Sequence, residues 1–186
     1  DGAYFVKTNS QGFRSNFDFD RKKTSKPRIL MFGDSNIAGD GCNNNQRLTE
    51  KLAEILNVEV YNFGLSGSGT DQQLLIYENI AKEYEADLVI LGILYHNIER
   101  RKVSSRRSID RTTGKQVLIP KPYFEFVDGN ITLKNTPVPL YRPELSVDNE
   151  NKVISKDPSN SAIYSLYKKT NQLIKGDALT KVKSLL

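Results

Sequence analysis

Three apolar runs recur along the first half of the chain, each bounded by glycine or polar residues. Arg28-Ile-Leu-Met-Phe32 stops at Gly33, Val58-Glu-Val-Tyr-Asn-Phe63 stops at Gly64, and Leu88-Val-Ile-Leu-Gly-Ile-Leu94 is apolar almost throughout. A strand with one wet face would alternate polar and apolar residues. Near-continuous hydrophobicity predicts strands covered on both faces instead. Between the runs the period changes. Leu48, Leu52 and Leu56 recur four apart within Asn45 to Asn57, and Leu74, Tyr77, Ala81 and Tyr84 share a face of Thr70 to Glu85. Both stretches are predicted helices, the second opened by the capping residues Thr70 and Asp71. Strands that start roughly thirty residues apart with helices between them make βαβ units, a parallel sheet and right-handed crossovers. The expected fold is a three-layer, flavodoxin-like α/β domain.

The flanks read differently. Residues 1–26 are polar but carry Tyr4, Phe5, Phe13, Phe17 and Phe19, and are expected to form an irregular arm packed on the domain through those rings. Residues 27–186 are expected to be the α/β domain itself, with 98–157 as an inserted loop and hairpin region. Within that insertion, Ile98 to Gly114 reads as a basic, polar surface excursion. Pro122 to Val127 and Asn130 to Leu133 read as a β-hairpin, because the intervening Asp128-Gly129 suits a tight turn. Residues 134–157 read as irregular, and Asp157-Pro158 is expected to start a helix running to about Leu173.

No apolar run approaches the length a membrane span needs. The single cysteine, Cys42, excludes an intrachain disulfide and a Cys-rich metal cluster, and reads as a small core residue. The net charge is +5, with much of the excess in two runs. One is Arg21, Lys22, Lys23 and Lys26; the other is Arg100, Arg101, Lys102, Arg106, Arg107 and Arg111. Both are expected to be solvated loop charge, and with no nucleic-acid motif beside them no nucleic-acid partner is expected.

In a parallel sheet the loops at the carboxyl ends of the strands share one edge, where ligands bind. Three such loops are readable: Gly33 to Gly41, Gly64 to Thr70, and Tyr95-His96-Asn97. Together they gather a hydroxyl, a glycine-rich turn and a side-chain amide, the parts of a nucleophile with an oxyanion hole.

These residues also carry a family resemblance. Phe32-Gly-Asp-Ser-Asn-Ile-Ala-Gly39 resembles the first signature block of the bacterial SGNH (GDSL-like) hydrolases, with Ser35 in the nucleophile position. Asn62-Phe-Gly-Leu-Ser-Gly-Ser-Gly69 resembles the second block, with Gly67 as its key glycine, and Val89 to Asn97 resembles the third, with Asn97 as its asparagine. Thr8 to Arg14 and Lys121-Pro-Tyr-Phe124 resemble flanking segments of bacterial members. The resemblance implies an acylhydrolase or esterase acting on a small oxygen ester, such as an acylated carbohydrate or lipid. Ser35 would attack the carbonyl, and the N–H groups of Ser35 and Gly67 with the Asn97 amide would hold the oxyanion. No metal or cofactor is implied.

The sequence departs from the family in two places. The third block has Leu94 and Ile98 where Gly-x-Asn-Asp is common. The fourth block, Asp-x-x-His, which supplies the catalytic base, is missing; the one histidine, His96, adjoins Asn97 instead and reads as a pocket-lining or core residue. The sheet is therefore expected to be incomplete, with the His/Asp base lying beyond this chain. The alternative is a non-catalytic SGNH-like domain that binds a glycan or a protein.

Overall fold

The computed structural model describes residues 3–110 and 112–139. Strands β1 (Arg28–Phe32), β2 (Glu59–Asn62) and β3 (Leu88–Leu91) form a parallel sheet in the order β2-β1-β3. In register, Leu30 lies between Tyr61 and Val89, and Met31 between Asn62 and Ile90. All five residues of the central strand β1 are buried. Its alternate side chains feed two separate clusters. Leu30 and Phe32 pack with Phe19, Tyr61 and Phe63 on one face, while Ile29 and Met31 pack with Ile37, Val58 and Val60 on the other. This is why the run is apolar without a break: both faces of the strand are covered.

Among the described residues four helices accompany the sheet: α1 (Ser35–Ala38), α2 (Leu48–Leu56), α3 (Thr70–Asn79) and α4 (Tyr95–Arg100). The predicted periodic faces hold in part. Leu52 and Leu56 of α2 pack on the second cluster, but Leu48, at the start of the helix, is 54% exposed. The helix expected over Thr70 to Glu85 breaks at Ile80, whose φ of −131° leaves the helical region, and resumes as a short 3-10 turn over Ala81–Glu83. Ala81 is nonetheless buried, and Tyr77 and Tyr84 pack against the aromatic cluster.

The basic stretch 98–114 carries regular structure. Ile98 to Arg100 complete α4, and β4 (Ser105–Ile109) pairs antiparallel with β5 (Gln116–Pro120). Charge masked this ladder, because Ser-Arg-Arg-Ser-Ile lacks the β-branched and aromatic signature of a strand. Next in the chain, β6 (Tyr123–Val127) pairs antiparallel with β7 (Asn130–Lys134). Asp128 and Gly129 lie between them with φ of 48° and 81°, two successive left-handed residues as a tight hairpin turn requires. The helix expected from Asp157-Pro158 and the irregular stretch 140–157 lie outside the described residues.

The segment before β1 is tied down by rings and by one buried cation. Phe19 stacks on Tyr61 with centroids 4.3 Å apart, and Phe13 meets Phe63 edge-on at 4.8 Å. Arg28 is completely buried. It pairs with Glu59 at 2.7 Å, donates to the carbonyls of Asp20 and Lys22 at 2.8 and 2.9 Å, and lies over the Tyr61 ring at 4.4 Å. Phe17 joins them, 5.8 Å from the Phe19 ring and 6.0 Å from Tyr61, but the remaining two rings differ from the expectation: Phe5 is 82% exposed, and Tyr4 is 43% exposed and meets Arg14 in a cation–π contact. No helix among the described residues is long and apolar enough to cross a membrane.

Candidate functional site

The first block folds as a strand, a tight turn and a single helical turn. Asp34 caps α1: its Oδ1 accepts from the backbone N–H of Asn36 at 3.1 Å and from Asn36 Nδ2 at 3.0 Å. Gly39, in the left-handed region, ends the helix after one turn. Ser35 is thus the first helical residue beyond the carboxyl end of β1 and is partly exposed. Neither its hydroxyl nor its backbone N–H has a hydrogen-bond partner among the described residues.

The second block is clamped onto the first. A Cβ on Gly64 would stand 2.4 Å from the backbone nitrogen of Ala38, so only glycine permits this approach. The Leu65 N–H donates to the Gly33 carbonyl at 3.0 Å, Ser68 Oγ donates to the same carbonyl at 3.3 Å, and Ser66 Oγ donates to the Asp40 carboxylate at 2.7 Å. Gly67 sits at the crown of this turn with φ of 72°, and its N–H has no protein acceptor among the described residues. Beneath the turn, the buried amide of Asn62 donates to the Ile37 carbonyl at 2.6 Å and to Thr49 Oγ1 at 2.8 Å, while its Oδ1 accepts from the Gly64 N–H at 2.8 Å. Asn62 therefore braces both blocks. A polar amide inside an otherwise apolar run was the available signal, since a buried amide must be hydrogen-bonded.

The third block corrects the loop reading. Tyr95, His96 and Asn97 form the first turn of α4, not a loop. Asn97 makes that start possible, because its Oδ1 accepts from the Leu94 N–H at 2.9 Å, one turn back. The Asn97 side chain is completely buried, and its Nδ2 donates to Asp34 Oδ2 at 2.9 Å. One Nδ2 hydrogen is left over. Arg100, on the next turn, donates to Asp34 Oδ2 at 3.1 Å and to the Ser68 carbonyl at 3.2 Å. Asp34 thus joins all three blocks. Burial pushes its carboxyl up, but hydrogen bonds from Asn36, Asn97 and Arg100 outweigh that and hold it below the ordinary aspartate range. His96 is exposed. Asp40 is exposed, as suits a turn residue, and the Cys42 thiol is half-buried and donates to the Gly39 carbonyl at 3.2 Å.

Two residues of the basic run are therefore not solvated loop charge. Arg100 is bound to Asp34, and Arg101 is half-buried, its guanidinium lowered by burial against the pull of Asp71 and Glu99. Beside them a buried pair escaped the sequence reading: Lys121 Nζ contacts Asp71 Oδ2, with both side chains nearly inaccessible. Burial pushes the Asp71 carboxyl up, and the Lys121 ammonium works against it. A cleft of about 530 Å³ opens next to this pair. Ser66 and Gly67 border it, as do Arg100, Arg106, Arg107 and Lys121.

This arrangement defines the class: an α/β protein with polar, glycine-rich loops gathered at the carboxyl edge of a parallel sheet. Residues 29–97 match the family model described as GDSL-like Lipase/Acylhydrolase, which supports membership of that family for this stretch. The matched stretch runs from β1 through Asn97 and so contains all three blocks. The match suggests hydrolase chemistry of the acylhydrolase or esterase type in general. No curated protein and no solved structure matches the chain.

Proposed function

We propose that the protein is a serine ester hydrolase with Ser35 as nucleophile. Ser35 Oγ attacks the carbonyl of a small oxygen ester, the alcohol leaves, and water then releases the acid from the acyl-enzyme. The N–H groups of Ser35 and Gly67 and the spare Nδ2 hydrogen of Asn97 receive the oxyanion, each worth about 3 kcal/mol of barrier. Access to that last hydrogen requires the cover over the buried Asn97 to give way when substrate binds. The observation that carries this reading is the pair of uncommitted backbone donors, at Ser35 and Gly67, on two turns that are hydrogen-bonded to each other through the Gly33 carbonyl. The same proposal takes 1–26 as an arm on a three-layer, flavodoxin-like domain that begins at residue 27.

The proton acceptor is the one role left unassigned. The resemblance gives it to an Asp-x-x-His pair that this sequence lacks, and Ser35 has no imidazole or carboxylate partner among the described residues. That observation favours a second reading, a non-catalytic domain that binds glycan or protein. Hydrolysis of 4-nitrophenyl acetate by the intact protein separates the two. The esterase reading expects Ser35→Ala to lower kcat by about a thousandfold or more. Equal turnover by both proteins would remove Ser35 from the mechanism.

A further inference from the structure

The cleft beside Gly67 holds more positive charge than the fold uses. Two of its cations have structural partners: Arg100 pairs with Asp34, and Lys121 with Asp71. Arg106 and Arg107 have no acidic partner among the described residues, yet both line the cleft. An arginine free of structural duty on a surface strand gains most by extending into water. Arg106 instead reaches back over the second-block turn. A Cβ on Gly67 would lie 3.2 Å from its Nη1, and the only acceptor Nη1 meets among the described residues is the Ser66 carbonyl at 3.5 Å, the outer limit of a hydrogen bond. The guanidinium fork therefore stands at the cleft with most of its five donors unspent on the described residues. A volume of about 530 Å³ fits a small ligand, on the scale of one or two sugar rings, and not a length of nucleic acid.

We propose that this cleft is a subsite for a negatively charged group, a carboxylate or a phosphate, carried on the non-reacting part of the ester. Arg106 is the main contact through its planar fork, which matches both oxyanions, and Arg107 adds to the local field. The substrate class is thereby narrowed from small oxygen esters to anionic ones. The inference rests on the esterase reading only in placing the reacting carbonyl beside Gly67; the anion site itself rests on the arginines.

Amide and arginine-side-chain NMR of the ¹⁵N-labelled protein, titrated at low salt with glucuronate, inorganic phosphate and glucose, reads the site without any need for turnover. The expected result is saturable movement of the Gly67 amide and the Arg106 Nε–H signals with one or both anions and none with glucose. The anion that binds more tightly identifies the group. Replacing both arginines (Arg106→Gln with Arg107→Gln) should weaken anion binding about tenfold or more, while Arg106→Lys should keep part of it. Unchanged signal dispersion in these exposed-strand variants checks that the fold is intact. Absence of shifts, equal shifts with glucose, or anion binding indifferent to both substitutions would overturn the subsite. A protein that binds the anion yet shows no Ser35-dependent hydrolysis would keep the subsite and sink the esterase.

Discussion

Asp34 does more for this site than its neighbour in the sequence suggests. Its two carboxylate oxygens cap α1 from one side and accept Asn97 and Arg100 from the other, so a single side chain sets the position of Ser35 relative to α4. Asp34→Ala would remove the cap and leave the buried Asn97 Nδ2 without its acceptor. A loss of about 2–4 kcal/mol in denaturant unfolding is expected. The pH dependence has a definite sign. Because the folded carboxyl titrates below its ordinary value, the stability it contributes is complete above the unfolded-chain value, near ~3.9, and is lost as pH falls through the depressed folded value. Unfolding midpoints measured between neutral and acid pH should therefore converge for wild type and Asp34→Ala only at the acid end. At this scale the turn that holds Asp34 was readable, as the loop Gly33 to Gly41. The identities of its partners were not, since Asn97 and Arg100 are more than sixty positions away and nothing local announces the contact.

Among the elements, legibility followed burial only in part. β1 was visible because both its faces are covered, which leaves an unbroken apolar run, whereas β3 is as apolar in sequence yet only partly covered, with Val89 48% exposed. β4 was invisible because it carries adjacent arginines. The block containing Asn97 was placed at the right sheet edge but taken as a loop, because no residue at its start has a capping preference. The cap comes from Asn97 reaching back, which reverses the usual direction. The contact between α3 and the segment joining β5 to β6 is also a tertiary event, made by the buried Asp71–Lys121 pair. Lys121→Met would strand the Asp71 carboxylate in the interior, with an expected cost of about 3–5 kcal/mol. Adding Asp71→Leu to that variant should recover most of the loss, because a well-packed apolar pair matches a buried ion pair. Thermal or urea unfolding of the single and double variants reads this directly. A single variant as stable as wild type would show the pair to be incidental.

For the whole molecule, one pattern recurs: the sheet's carboxyl edge is assembled from segments that brace one another. The Phe13–Phe19 arm closes one face of the sheet, Arg28 locks that arm to β1, and Asn62, Gly64 and the Gly33 carbonyl hold the first two blocks in contact. Phe13 and Phe19 pack on the sheet, whereas Phe5, 82% exposed, shows that an aromatic residue in this segment need not. The family match was legible because three short blocks fall in order after three strands; the cleft lined by Arg106 and Arg107 was not, since it depends on how β4 lies against the turn at Gly67. The central claim is that residue 35 is the nucleophile. Treatment of the intact protein with a fluorophosphonate, followed by peptide mapping by mass spectrometry, tests it most directly. The account predicts a single covalent adduct, on the peptide that contains Ser35 and on that hydroxyl. An adduct on Ser66 or Ser68 in its place, or no adduct on a protein that hydrolyses esters, would contradict it.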